Sequence, residues 1–516
     1  MKTRSSTRNY ISGLATGYIA SISTVLIGLW LVPFALNYLD REQYAIFALT
    51  GDFLVWLSLL ELGISAGLNV HAAQLTGKPD QEKLNRLAST TFYSQLVVVA
   101  VLIIIGIGLS FIFPNIINAP PDLRTPSIQI MLLMVLSQSI SMSTKTFSVL
   151  LIAHQQIYVD NLIRLGLVVI RTIITVVLLV SGFGLISLAV GSVIATIITS
   201  ALAVWRAQRF LPDLQIKRTL ASWSELKSLL DLGIWFSLGG LAGMAILHMD
   251  RIVTSRVVAL EAVTTLTLTG RLYLLSNSYL DQITNTARPM LGKLFGKNDK
   301  TKALELYRNF FLISTGGALI AGIGLWTGNQ TFVEWWVGNE NYGGRLIDTA
   351  LLFNLIVNCW VLPNRAVLSS AKIVKPQTLS RLVEGGFNIL FSILLGLKFG
   401  IVGVIFGTSL ASLITSFWYL PKLTANLFEM NVWKLIKDDF LKVITLSIIL
   451  IPIAITIKTS LSSTQGLGWA ILQMLPIGVI GALLMWFFGF NQSFRIQILT
   501  IIRSIFRKIR FNNLNN

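Results

Sequence analysis

Charged side chains set inside apolar runs are the residues of this chain whose types and spacing could do chemistry. Asp52, Glu61, Lys145, Arg164, Arg171, Arg271, Asp281, Arg288 and Arg365 each interrupt a mostly aliphatic stretch. A guanidinium stays charged and offers planar, paired hydrogen bonds to a phosphate. A carboxylate in such a setting could carry a proton or a sodium ion. Arg164 and Arg171 lie seven residues apart and share a helix face, as do Asp281 and Arg288. Blander roles are open to each. Lys145 and Arg164 could snorkel to headgroups. Arg288 precedes Pro289 and could be interfacial, and each acid could pair with a neighbouring Arg. Asp250-Arg251 reads as a local interfacial pair, and Glu384 has no assigned partner. His71, His154 and His248 have no ligand-like spacing, and Cys359 is the single cysteine, so no metal site is expected. No GxxxxGK[ST] occurs, which argues against direct ATP hydrolysis.

These charges need elements that carry them at depth. Hydrophobic residues make up 54% of the 516, and charged residues only 12%, about half the share in a soluble chain. Repeated apolar runs of roughly 20 residues then predict an all-α polytopic membrane protein. Fourteen spans are expected, at 10–36, 44–70, 88–113, 127–153, 158–181, 184–205, 229–253, 263–288, 305–327, 346–371, 378–397, 400–421, 440–457 and 467–489. The net charge of +18 would suggest nucleic acid in a soluble protein, but here it follows topology. With the N-terminus in the cytoplasm, the inner segments hold several times as many Lys and Arg as the outer ones, which the positive-inside rule favours. Both termini are then cytoplasmic, and no nucleic-acid partner is expected. Trp335 and Trp336 suit a membrane–water interface. The basic tail 490–516 reads as an amphipathic helix on the inner leaflet.

An internal repeat links two of the charges. "LTGDF" (49–53) and "LTGRL" (268–272) are offset by 219 residues. At the same offset "TGKPDQEK" (76–83) meets "FGKNDKTK" (295–302). "VLLIA" (149–153) meets "VLSSA" (367–371), and "FGLISLAVGSVIATIITS" (183–200) meets "FGIVGVIFGTSLASLITS" (399–416). Four matches in register argue for two six-helix bundles in parallel repeat, 1–205 and 229–421. A cytoplasmic linker at 206–228 joins them, and two extra helices at 422–489 follow. Parallel repeats place corresponding residues alike, so Asp52 and Arg271 should both face a central cavity. Each sits about 12 Å in from its helix end, where facing lipid would be costly. Arg164, Arg171, Lys145 and Arg365 could form a cationic funnel beside it.

At "NYLDREQYAIFAL", "LLELGISAGL", "HMDRIVTSRVV" and "FNILFSILLGLKFGIVGVIFGTSLASLI" the chain resembles the polysaccharide/O-antigen flippases. These are the Wzx-type polysaccharide transporters of the multidrug/oligosaccharidyl-lipid/polysaccharide exporter superfamily. The resemblance covers most of 10–421. It implies two bundles in a V around a cationic cavity lined by helices 1, 2, 7 and 8. Asp52, Glu61, Arg271, Asp281 and Arg288 would lie near that cavity. It also implies transport of a polyprenyl-diphosphate-linked oligosaccharide, such as an O-antigen repeat unit of lipopolysaccharide, from inner to outer leaflet. The expected setting is a bacterial cytoplasmic (inner) membrane, with membrane lipids and polysaccharide polymerase machinery as partners. No cofactor is expected beyond a coupling proton or sodium ion. The alternatives are a multidrug or other small-molecule antiporter of the same superfamily, and an integral-membrane polymerase or glycosyltransferase. The first would want an acidic site; the second would want a large outer loop, and the longest here is about 18 residues by the span assignment.

Overall fold

The computed structural model describes residues 2–75, 80–461, 465–492, 494–496 and 499, all of them in helices, turns or loops. Most of the amphipathic tail, and the loop carrying Gly77 and Lys78, lie outside the described residues. The chain divides into two compact units, Met1–Thr264 and Thr265–Asn516. The first contains α1 (Lys2–Leu36), α2 (Arg41–Leu57), α3 (Ile64–Leu75), α4 (Gln81–Ile116), α5 (Arg124–Ala153), α6 (Ile157–Val180), α7 (Ile186–Phe210) and α8 (Trp223–Val257), and α9 (Leu260–Thr269) begins in it. The second contains α10 (Arg271–Gly296), α11 (Lys300–Phe311), α12 (Gly317–Val337), α13 (Arg345–Ser370), α14 (Val374–Ile414), α15 (Ser416–Leu427), α16 (Val432–Ser460) and α17 (Leu467–Leu484).

Among the described residues, eleven stretches are long and apolar enough to cross a membrane. They account for twelve of the expected spans, because Val374–Leu427 holds two that reverse at Gly400 (φ 60°). The other two expected spans fall on α8 and on α9–α10, and α10 alone carries Arg271, Asp281, Arg288 and Lys293. Helix 2 of the sequence reading is broken: Leu62 and Gly63 take left-handed φ of 50° and 75° between α2 and α3. α11 runs into α12 through a π turn at Leu312–Gly316.

The repeat recurs in local geometry. Asp80 and Asp299, 219 apart, cap α4 and α11 by accepting from the backbone N–H of Lys83 (2.9 Å) and Lys302 (3.1 Å). Such caps satisfy amides that have no partner inside the helix. Gln155 and Lys372 end α5 and α13 at φ 61° and 63°. Gly184 and Gly400 open the second arms of two helix hairpins at φ 55° and 60°. Two turns further in each arm a glycine permits close approach. A Cβ on Gly191 would come within 2.4 Å of Thr175 Oγ1, and one on Gly407 within 2.5 Å of the Ser392 backbone nitrogen. Because the Gly407 obstacle is backbone, Gly407→Ala should cost about 1–3 kcal/mol. Thermal unfolding in detergent checks this against Gly386→Ala, whose Cβ meets nothing within 4 Å and should hold or slightly raise the melting temperature, since alanine favours a helix interior.

The segment after α7 is held along α4. Gln81 Nε2 donates to the Asp213 carbonyl (3.0 Å). The backbone amides of Gln215, Lys217 and Ser222 donate to Asn85 Oδ1 (3.0 Å), Ser89 Oγ (3.1 Å) and Thr90 Oγ1 (3.0 Å). α8 then packs on α3 and α4, with buried Leu229 among Ile64, Leu68, Leu84 and Leu87. The expected division put α8 in a bundle of 229–421. By packing it belongs with the first unit, and the division at 206–228 stands as a proposal about the duplication. α16 and α17 pack on α12, where Lys458 Nζ donates to the Trp326 carbonyl (2.7 Å) over that indole ring.

Candidate functional site

In the first unit the buried carboxylates Asp52 and Glu61 each hold a cation from another helix, while Asp52 Oδ2 has no hydrogen-bond partner among the described residues. Asp52, in the last turns of α2, is 1% exposed. Its Oδ1 meets His248 Nδ1 at 2.6 Å and accepts from the Arg251 guanidinium at 2.5 Å, both from α8. Arg251, read from the sequence as a local partner of Asp250, therefore crosses to α2. His248 earns a role that the search for metal spacing passed over. Asp52→Ala would leave Arg251 nearly buried without its anion, at a cost of about 3–5 kcal/mol. Adding Arg251→Met should return much of that loss in a double-mutant cycle of unfolding free energies; strict additivity would refute the pairing.

Glu61 lies where the chain turns from α2 into α3. Its Oε1 accepts from the Ser65 amide (3.1 Å), capping α3, and its Oε2 accepts from Lys145 Nζ of α5. Gln95 of α4 extends the network, donating to Ser65 Oγ (2.9 Å) and accepting from Thr146 Oγ1 (2.7 Å). Arg164 is largely exposed and pairs with Asp160 one turn back on α6 at 2.8 Å. Arg171, half-buried, has no side-chain hydrogen bond or ion pair among the described residues. The expected grouping of Lys145, Arg164 and Arg171 on one funnel thus resolves into two paired cations and one free one.

The second unit holds the other candidates. Arg271 is the first residue of α10, just after the chain breaks at Gly270. Its Nε is buried with no hydrogen-bond partner, and no carboxylate pairs with it among the described residues. Asp281 accepts from Asn285 (3.1 Å) on the same helix. Arg288, exposed near the end of α10, lies within electrostatic range of Asp281 and Arg365. Arg365 of α13 donates to Glu384 of α14 at 3.1 Å, and Ser416 also donates to that carboxylate. Glu384 thereby gains the partner that spacing alone could not assign. Arg381 falls within the expected span 378–397 and is not among the charges singled out from the sequence. It sits two turns inside α14 with its Nε buried and unpartnered. The signal that could have found it is the spacing of Arg381 and Glu384, three apart on one helix face. Between α12 and α13, Tyr342 donates to Asp348 (2.6 Å), and burial beside that carboxylate raises the Tyr342 phenol well above its ordinary value. Among the described residues no cluster of His, Cys, Asp and Glu could hold a metal ion.

The chain matches the polysaccharide biosynthesis protein family over residues 13–295. It is 19% identical over 328 residues, 62% of its own length, to the uncharacterized membrane protein EpsK of Bacillus subtilis strain 168; the match spans 63% of that relative. Among solved structures it is similar to lipid II flippase MurJ in an inward closed conformation, with a TM-score of 0.67 and 18% identity over 90% of this chain and 97% of that one. It is also similar to an inward-facing multidrug resistance MATE family transporter of the MOP superfamily, with a TM-score of 0.64 and 15% identity over 81% of this chain and 98% of that one. Both are transporters, and both share its fold. The family match spans more than half of the sequence, and so this multi-pass, transporter-folded membrane protein belongs to the polysaccharide biosynthesis protein family.

Proposed function

We propose that the protein is a flippase. It carries a polyprenyl-diphosphate-linked oligosaccharide, the repeat unit of an O-antigen or another surface polysaccharide, from the inner to the outer leaflet of a bacterial cytoplasmic membrane by alternating access. Both termini are cytoplasmic in this reading. One observation carries it: the buried, unpartnered Nε of Arg271. A buried donor without an acceptor is costly, and the oxygens of a diphosphate are acceptors that match the planar guanidinium fork and would relieve the cost. Arg171, with no side-chain hydrogen bond or ion pair among the described residues, serves the same head group as it moves. Lys145 and Arg164 act through the carboxylates they already hold. Outward passage of an anion from a negative cytoplasm is favourable by about 2.3 kcal/mol per charge per 100 mV.

A proton or sodium ion adds to this drive at Asp281, whose side chain among the described residues accepts only from Asn285. Asp52 and Glu61 are weaker carriers, because each already holds a cation. The test is reconstitution. Proteoliposomes given a fluorescent lipid-linked oligosaccharide in the inner leaflet should expose it to an external lectin. Export of a cationic dye with no movement of the lipid would favour the antiporter instead, and elongation of the glycan would favour an enzyme.

A further inference from the structure

Three arginines converge in the second unit around too few carboxylates. Arg288 comes from α10, Arg365 from α13 and Arg381 from α14. Arg381 lies within electrostatic range of both other arginines and of Glu384 and Asp281. Of the acids, Glu384 is the one in an ion pair among the described residues. Glu384 is 1% exposed and accepts from Arg365 and from Ser416, and Asp281 accepts from Asn285. Ser370 Oγ donates to the Arg288 carbonyl at 3.1 Å, which ties α10 to α13 at this level. Three positive charges therefore face two negative ones, and the Arg381 Nε is buried with nothing to donate to. A protein gains no stability from such an arrangement. Like charges repel, and an orphaned buried donor forfeits its hydration.

We propose that Arg381, with Arg365 and Arg288, forms a diphosphate-binding subsite within the second unit, separate in sequence from Arg271. The subsite lies toward the helix ends that also carry Lys293, Lys372 and Lys375. The positive-inside count assigns those ends to the cytoplasm, so this is where a lipid diphosphate loads before it reaches Arg271. Arg381 supplies the fork. Arg365, oriented by Glu384, supplies the second guanidinium, and exposed Arg288 stands at the entrance. Two phosphate groups joined by one oxygen match two adjacent guanidiniums better than a single phosphodiester does. The assignment of this anion to the transported lipid rests on the flippase reading; the anion site itself does not.

The full-length protein in phosphatidylcholine nanodiscs is titrated with farnesyl diphosphate, with farnesol as the control. Wild type should bind the diphosphate saturably and farnesol not at all. Arg381→Gln should weaken binding by about tenfold or more, and Arg381→Lys by less. Unchanged affinity in a folded Arg381→Gln protein overturns the proposal. Should that variant fail to fold, Arg288→Gln, at an exposed position, should still weaken binding by about threefold, and no change there overturns it equally. Inorganic pyrophosphate should compete and phosphatidylglycerol should not. Equal competition by phosphatidylglycerol would make the site a membrane-lipid site and overturn the assignment to substrate. Arg381-dependent binding in a protein that moves no lipid-linked oligosaccharide would sink the flippase reading alone. Transport with binding indifferent to Arg381 would sink this inference alone.

Discussion

Arg271→Ala protein should reach the membrane at wild-type levels and move lipid-linked oligosaccharide about a hundredfold more slowly or not at all. The two halves of that expectation have one origin. The Arg271 side chain makes no ion pair or hydrogen bond among the described residues, so removing it breaks no polar contact that holds α10 in place. Its loss can even relieve the burden of a buried, unsatisfied donor. What disappears is a charge-assisted fork to the diphosphate, and contacts of that kind are worth roughly 1.5–3 kcal/mol each. Two such bonds, lost together, place the expected effect at or beyond two orders of magnitude. Arg271→Lys keeps the charge and loses the fork, so it should retain an intermediate rate. The measurement is lectin accessibility of the flipped lipid in proteoliposomes, normalised to inserted protein. Wild-type flipping by Arg271→Ala would remove Arg271 from the substrate path.

The largest effect on stability is expected at Glu384. Its side chain is 2% exposed and balances Arg365, itself only 13% exposed, while Arg381 stands nearby. Glu384→Ala removes the anion and leaves two partly buried guanidiniums within electrostatic range of each other. Breaking a buried pair from one side costs about 3–5 kcal/mol, which is a large part of the stability of a typical domain. Most of the variant should therefore be lost from the membrane fraction or aggregate on extraction. Glu384→Gln keeps the volume and an acceptor for Ser416, and should sit between. Arg365→Met added to Glu384→Ala should restore folded protein, because the uncompensated charge goes with it. A Glu384→Ala protein with the melting profile of wild type would show that the pair carries no weight.

The class of protein was legible because hydropathy is additive along the chain. A run of twenty apolar residues means a span wherever it packs. The repeat was legible for a similar reason: capping by Asp80 and Asp299 and reversal at Gly184 and Gly400 are local acts of backbone, governed by a few neighbouring residues. Pairing was much less so. Asp52 lies 199 residues from Arg251, and Lys145 lies 84 from Glu61. No spacing rule reaches across such distances. Asp250-Arg251 looked local because only local rules could be applied to it.

By itself, then, the sequence determined that this is a helical, many-span, internally duplicated membrane protein with cations at depth. Which of those cations are spoken for was decided by tertiary structure alone. Charge and hydropathy belong to a residue, but a partner belongs to the packing that delivers it. The difference between Arg365, held by Glu384, and Arg271, held by nothing described, arises where α13 meets α14 and where α10 begins.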